Sequence, residues 1–130
     1  MSDEEWRRFF CICARVLGAG ARDSARSLSW CSWPTFDRLI SDSGYWTGGI
    51  LAESNLLETS TDDGGPWGQP FSYRSIAHIV IPREFYWETI APGHYENGSR
   101  PQDIHKLSKE LTAARLAHRL TDLVLEVKLY

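Results

Sequence analysis

The sequence predicts an α+β fold, and three observations support this class. Apolar residues recur at helical intervals near both ends of the chain, over residues 6–17 and 104–114. Residues 76–81 form a β-branched apolar run that stops at Pro82, and residues 123–130 alternate between apolar and polar side chains. We therefore expect a mainly antiparallel sheet of four or five strands, with an N-terminal and a C-terminal helix packed on one face.

The size and composition of the chain indicate one domain. Its 130 residues, 42% of them hydrophobic, suffice for one core and are too few for two ordinary domains, so residues 1–130 are expected to form a single compact unit. Six Trp, five Tyr and five Phe are a heavy aromatic load, and most of these rings must lie in the core. The net charge of −3 argues against direct binding of nucleic acid.

The termini and the cysteines suggest a compartment. The first five residues are polar and acidic, unlike a secretory signal, and no apolar run approaches the roughly 18 residues of a membrane span. We expect a cytoplasmic protein with no membrane partner. Three cysteines, an odd number, suit a reducing compartment. Cys11 and Cys13 are one residue apart in a helical pattern and diverge, so they are predicted to be structural thiols, and no metal or other cofactor is expected.

In the first half of the chain, local patterns predict one long helix and several short strands. Ser2 and Glu5 have the spacing of a capping box at the start of the first helix, which should end at Gly18. Residues 27–31 predict a short strand and residues 35–40 a helical turn. Residues 50–51 and 55–61 predict further strands. The turn-rich segment 62–70 then predicts a long hairpin tip leading into the run 73–81.

In the second half, three consecutive rings, Phe85-Tyr86-Trp87, are predicted to cover one edge of the core. Gly93 and the Asn97-Gly98 pair predict a loop. Pro101 has the place of a first-turn proline, so the second helix should begin there and extend to about residue 117.

The candidate binding surface is an acidic stretch that lacks basic residues. No Lys or Arg occurs between Arg38 and Arg74, so a purely acidic surface is expected there. Carboxylates beside large rings suit docking onto a basic protein partner, with the rings as anchors or as caps of the core. The predicted partner-binding residues are Tyr45, Trp46, Glu53, Glu58, Asp62, Asp63 and Trp67. Phe85-Tyr86-Trp87 is the other candidate for this surface.

Catalytic motifs are absent from the sequence. It contains no GxSxG, GxxxxGK[ST], HExxH or GxGxxG pattern, so we assign no catalytic residue and do not expect an enzyme. One enzymatic alternative is a small hydrolase or transferase with a site around His78, Glu84 and Tyr86. A helix over residues 84–88 would place Glu84 and Glu88 on one face beside an aromatic pocket.

The order of several short motifs adds a functional expectation. They are the opening Trp6-Arg7 helix, the Gly64-Gly65-Pro66 turn, Tyr73-Arg74-Ser75-Ile76 leading into Ile79-Val80-Ile81, and the helix–strand ending. This layout resembles small single-domain bacterial proteins of unassigned function, several of which lie beside toxin genes as immunity proteins. The resemblance implies no catalytic residue and suggests a protein that occludes the active site of a cognate toxin. A phage- or host-encoded inhibitor of another complex is the alternative within the binding class.

Overall fold

Seven strands and three α-helices make up the computed structural model, which describes all residues from 1 to 130. The helices are α1 (Asp3–Leu17), α2 (Phe36–Ser41) and α3 (Ile104–Ala113). The strands are β1 (Cys31–Trp33), β2 (Trp46–Gly48), β3 (His78–Pro82), β4 (Glu84–Ala91), β5 (His94–Pro101), β6 (Arg119–Leu120) and β7 (Val124–Lys128). Five strands form an antiparallel sheet in the order β2-β1-β3-β7-β6, while β4 and β5 pair only with each other. The predicted α+β class is confirmed.

Both long helices begin at the caps that hold their first turns. The Ser2 hydroxyl accepts the Glu5 N–H at 3.1 Å and the Glu5 carboxylate accepts the Ser2 N–H at 2.7 Å, which completes the predicted capping box. In α3 the Asp103 carboxylate accepts the Lys106 N–H at 2.9 Å. Each helix buries one apolar face in a common core with the sheet. The buried helix residues are Trp6, Phe9, Phe10, Ile12 and Cys13 of α1, and Ile104, Leu107 and Leu111 of α3.

The central strand is β3, as the run 76–81 predicts. It lies between β1 and β7, with Ile79 opposite Val127 and Ile81 opposite Leu125. All four of these side chains belong to the core. Because neighbouring residues of a strand point to opposite faces, His78 lies on the other face of the sheet.

The segment 62–70 connects two short antiparallel stretches, as the predicted hairpin requires: the Thr61 N–H donates to the Phe71 carbonyl and the Tyr73 N–H to the Thr59 carbonyl. Its Trp67 ring is nevertheless buried in the core. The Trp67 ring stacks on the Trp33 ring with centroids 3.8 Å apart, and its indole N–H donates to the Gly49 carbonyl at 3.2 Å. The Phe10 ring packs edge-on against the Trp67 ring, with centroids 5.5 Å apart. These contacts bury Trp67, while the turn-forming residues on either side of it, among them Asp63, Gly64 and Gln69, are exposed.

Three of the predicted strands differ from the observed ones. The strand predicted over residues 27–31 begins only at Cys31. Residues 50–51 are buried without being in a strand, and residues 55–61 form only isolated bridges. The Leu57 N–H donates to the Ser60 carbonyl at 2.9 Å, so the chain reverses where the alternating pattern predicts an extended strand.

The second half of the chain contains a β-hairpin where a loop was expected. Asn97 and Gly98 lie within β5, and the turn of the hairpin is Pro92-Gly93, in which Gly93 has a φ of 72°. A Cβ at position 98 would lie 3.0 Å from the Trp87 ring, so glycine makes room for that side chain. Pro101 ends β5, and α3 begins at Ile104 and stops at Ala113, short of the predicted residue 117.

Candidate functional site

The aromatic members of the predicted binding surface differ in how far their side chains are exposed. Trp67 is only 7% exposed, so its prediction as a partner-binding anchor is wrong. Trp46 is half-buried, with the Arg38 guanidinium 4.2 Å from its ring centroid and Phe71 on the core side at 5.2 Å. Tyr45 is 39% exposed.

The acidic members do not form a purely acidic surface, and that expectation is also wrong. Glu53 lies in a groove of α1 that Arg7 and Arg15 also line. Glu58 shares a second groove with Arg7. The gap in basic residues exists along the chain but not in space, because α1 brings its arginines to the same surface.

Asp62 and Asp63 lie at the turn that follows. The Asp62 carboxylate accepts the Gly64 N–H at 3.2 Å, a contact that shapes the turn. Asp63 is exposed. The predicted residues therefore occupy different environments. Trp46 and Trp67 both pack on Phe71, whereas Glu53 and Glu58 both line grooves beside Arg7.

His78 belongs to a polar chain that the sequence does not reveal. The Tyr45 hydroxyl and His78 Nδ1 are 2.7 Å apart, and His78 Nε2 is 2.7 Å from a Glu126 carboxylate oxygen. The other oxygen of Glu126 is 2.8 Å from Arg119 Nε. Burial, followed by the hydrogen bond with Tyr130, raises the pKa of Tyr45 to about 12, which keeps its phenol protonated.

The alternative site around His78, Glu84 and Tyr86 is not assembled in the structure. His78 and Pro82 are the two ends of β3, about 13 Å apart at the usual rise of a strand. Glu84 and Tyr86 lie beyond that second end, on the hairpin, and no hydrogen bond joins either of them to His78. Residues 84–88 are a strand and not a helix.

One side of the β4–β5 hairpin, which we call the outer face, exposes three large side chains. Tyr86 is 54% exposed, Tyr95 56% and Ile90 74%. Directly paired residues of antiparallel strands share a face, so the register defines the members. The outer face consists of Glu84, Tyr86, Glu88, Ile90, Tyr95, Asn97, Ser99 and Pro101, all exposed. It contains two carboxylates and no basic side chain.

Three side chains of the outer face form a hydrogen-bonded cluster. The hydroxyls of Tyr86 and Tyr95 are 2.7 Å apart, and both donate to the same oxygen of Glu88, at 3.0 and 3.3 Å. The hydrogen bond with Tyr95, with lesser effects of burial and of Glu88, raises the pKa of Tyr86. The cluster thus places two phenol hydroxyls at one carboxylate oxygen of Glu88, an arrangement suited to a cationic group.

The opposite side of the hairpin attaches it to the rest of the protein. Phe85 is buried and stacks on Trp30 with centroids 5.8 Å apart. The Arg100 guanidinium donates to the carbonyls of Ser27 and Ala25 at 2.6 and 2.8 Å and lies over the Trp87 ring at 5.3 Å. These contacts hold one side against the protein and leave the outer face free.

The sequence contains an alternating pattern that is typical of a strand with one exposed face, although the spacing of Glu84 and Glu88 also suits a helix. From residue 84 to 90, Glu84, Tyr86, Glu88 and Ile90 alternate with a second set of residues that packs inward. Pro92-Gly93 supplies a turn directly afterwards. Sequence reasoning named Phe85-Tyr86-Trp87 as the other candidate surface, and of these three only Tyr86 lies on the outer face.

A comparison with family models, curated proteins and solved structures found no match for this chain. No helix in the structure has both the length and the apolar character to cross a membrane.

Proposed function

We propose that this chain is a non-enzymatic binding protein of the cytoplasm, an immunity protein that neutralises a bacterial toxin by occluding its active site. The observation that carries the proposal is the outer face, where Tyr86, Ile90 and Tyr95 are each more than half exposed beside two carboxylates. These three side chains are neighbours on the hairpin, and a contiguous exposed apolar patch marks an interaction site where scattered apolar side chains do not.

The chemistry of the outer face fits a basic cleft on a protein partner. Tyrosine is enriched among the residues that dominate binding energy, because its ring buries a large area and loses little conformational entropy. Glu84 and Glu88 face no basic side chain of this protein on the same face, so their charge is free to interact with a partner. The substrate cleft of a toxin that acts on an anionic substrate, such as a nuclease, presents complementary charge.

The shape of the hairpin supports occlusion. β4 and β5 each have eight residues, about 26 Å of strand at the usual rise, and they pair with no other strand. A narrow two-stranded element of that length can enter a cleft that a flat surface would only cover.

The test is co-expression with the product of a toxin gene, if one lies directly upstream of the gene for this chain, with growth and co-purification as readouts. We expect the parent protein to restore growth and to co-purify with the toxin. Tyr86→Ala combined with Ile90→Ala should weaken binding by about 2 kcal/mol or more, because both side chains fill the contact. Both positions are exposed, so the melting temperature should change little.

Leu57→Ala is the matched control, since Leu57 is also about half exposed but lies outside the hairpin. It should leave growth and binding unchanged. Parent-like binding by the double variant would show that the outer face is not the binding surface.

A phage- or host-encoded inhibitor of another complex would use the same face. The gene neighbourhood distinguishes the two cases: a toxin gene directly upstream favours immunity, and a phage operon favours the inhibitor.

A further inference from the structure

We infer that the outer face receives an extended basic segment of the protein partner, which adds to the hairpin as a third strand along β5. This inference rests on the proposed function, since it specifies how a partner engages the same face. Three properties of the hairpin support it: an open strand edge, the direction of the backbone groups on that edge, and the placement of Glu88.

The outer edge of β5 is open. β5 pairs with β4 alone, and no backbone hydrogen bond joins residues 94–100 to any part of the protein outside the hairpin. All but two of its residues, Gly98 and Arg100, are exposed. An open edge presents unpaired N–H and C=O groups, which are a template for another strand.

The turn determines which backbone groups point to that edge. In a hairpin with a two-residue turn, the residues flanking the turn form a hydrogen-bonded pair, and the two kinds of pair then alternate. Ala91 and His94 flank the turn, so Tyr95, Asn97 and Ser99 belong to non-hydrogen-bonded pairs. Their N–H and C=O groups therefore face outward. Pro101 also belongs to a non-hydrogen-bonded pair, so its lack of an N–H removes no hydrogen bond between β4 and β5.

The side chains of those three residues lie on the outer face, next to the cluster of Tyr86, Glu88 and Tyr95. Asn97 is paired directly with Glu88, and the Tyr95 hydroxyl donates to the Glu88 carboxylate. An added strand lies about 4.8 Å beyond β5, so a long Lys or Arg side chain on its outer face can pass over Asn97 to reach Glu88. Alternate basic residues in the partner segment would all lie on this face.

The probe is a synthetic seven-residue peptide of alternating Arg and Val, titrated into the ¹⁵N-labelled full chain. We expect the largest amide shifts at Tyr95, Asn97 and Ser99. A peptide with Glu in place of Arg should bind at least tenfold more weakly. Methylation of the peptide nitrogens that face β5 should abolish binding, whereas methylation of the nitrogens on the other edge should not.

The protein variants test the charge separately. Glu88→Gln keeps the size of the side chain and should weaken binding of the Arg peptide by about two- to fivefold, the range for a partly exposed ion pair. Glu53→Gln, an exposed carboxylate outside the hairpin, is the matched control and should have no effect.

Several results would overturn the inference. They are the absence of shifts at millimolar peptide, equal binding of the Glu peptide, or shifts centred away from β5. Sedimentation showing a dimer broken by β5 variants would assign the edge to a second copy of this chain. If Tyr86→Ala with Ile90→Ala abolishes toxin neutralisation while the peptide fails, the proposed function stands and strand addition is wrong. If the peptide binds as expected and the double variant still neutralises, the edge of β5 accepts a strand but the toxin is bound through another surface, and the inference about the partner is wrong.

Discussion

At the scale of single residues, Trp67 shows how a ring among turn formers becomes a core residue. Its ring stacks on Trp33 and is met edge-on by Phe10. We expect Trp67→Ala to lower the free energy of unfolding by about 3–5 kcal/mol, because it removes a buried indole and leaves a cavity. Chemical denaturation measures this. Ile40→Ala, at an 84% exposed position, should stay within about 0.5 kcal/mol of the parent. A parent-like Trp67 variant would place that ring outside the core.

The raised pKa of Tyr45 predicts how the stability of the fold depends on pH. Its pKa is raised to about 12 by burial, by the hydrogen bond with Tyr130 and by the nearby charges, so the folded state holds this proton more tightly than the unfolded state, whose tyrosines titrate near 10. The resulting stability is complete below about pH 10 and is lost as the pH rises towards 12. His78 and Glu126 complete its surroundings.

Phenolate absorbance tests this assignment. The difference between the titration curves of the parent and of Tyr45→Phe should show one phenol with a midpoint near 12. Circular dichroism on the same samples should show that both proteins are still folded at the midpoint. A midpoint near 10 would mean that the Tyr45 hydroxyl is freely solvated.

At the scale of elements, Gln102 joins the two sheets. Its buried amide accepts the Trp30 N–H at 2.8 Å and donates to the carbonyls of Trp30 and Pro82 at 3.0 and 2.9 Å. Gln102→Ala should destabilise the fold by about 2–3 kcal/mol, because buried backbone groups lose their partners.

Thermal unfolding of matched variants measures how much the hydrogen bonds of Gln102 contribute to stability. Gln102→Glu keeps the shape but cannot donate, so it should be destabilised as well. Gln69→Ala, at an exposed position whose side chain makes no hydrogen bond, should match the parent. A stable Gln102→Glu variant would show that shape and not hydrogen bonding matters there.

The elements that the sequence predicts well are those decided by neighbours in the chain. The cap at Ser2 acts within three residues, so the start of the first helix could be anticipated. The second helix was predicted from its apolar spacing to begin at Pro101, and Asp103 caps it instead. Gly98 is different: it is a typical loop residue, but in this fold it accommodates the ring of Trp87 across the hairpin. The purely acidic surface was predicted wrongly for a similar reason, because only the folded chain brings Arg7 beside Glu58.

At the scale of the whole molecule, the hairpin is attached through one narrow base. The Gln102 N–H donates to the Arg83 carbonyl at 2.7 Å, so the chain leaves and re-enters the rest of the protein at adjacent points. Replacing residues 84–101 by an Asn-Gly turn should leave a cooperative fold, destabilised by about 3–5 kcal/mol through the loss of Phe85 from Trp30. Toxin binding should disappear.

Calorimetry and circular dichroism of this shortened protein provide the check. A loss of cooperative unfolding would show that the hairpin is required for the fold. Retained binding would place the partner site on the five-stranded sheet or the helices.

The narrow base also affects how such a protein can evolve. Under the proposed function, substitutions at Tyr86, Ile90 and Tyr95 would change recognition but remove little buried area, so selection could alter them one at a time without lowering stability below the folding threshold. The buried rings around Trp33 remain under selection for packing alone. A lineage that meets a changing antagonist can therefore diversify its specificity on one small sheet while the larger sheet preserves the fold.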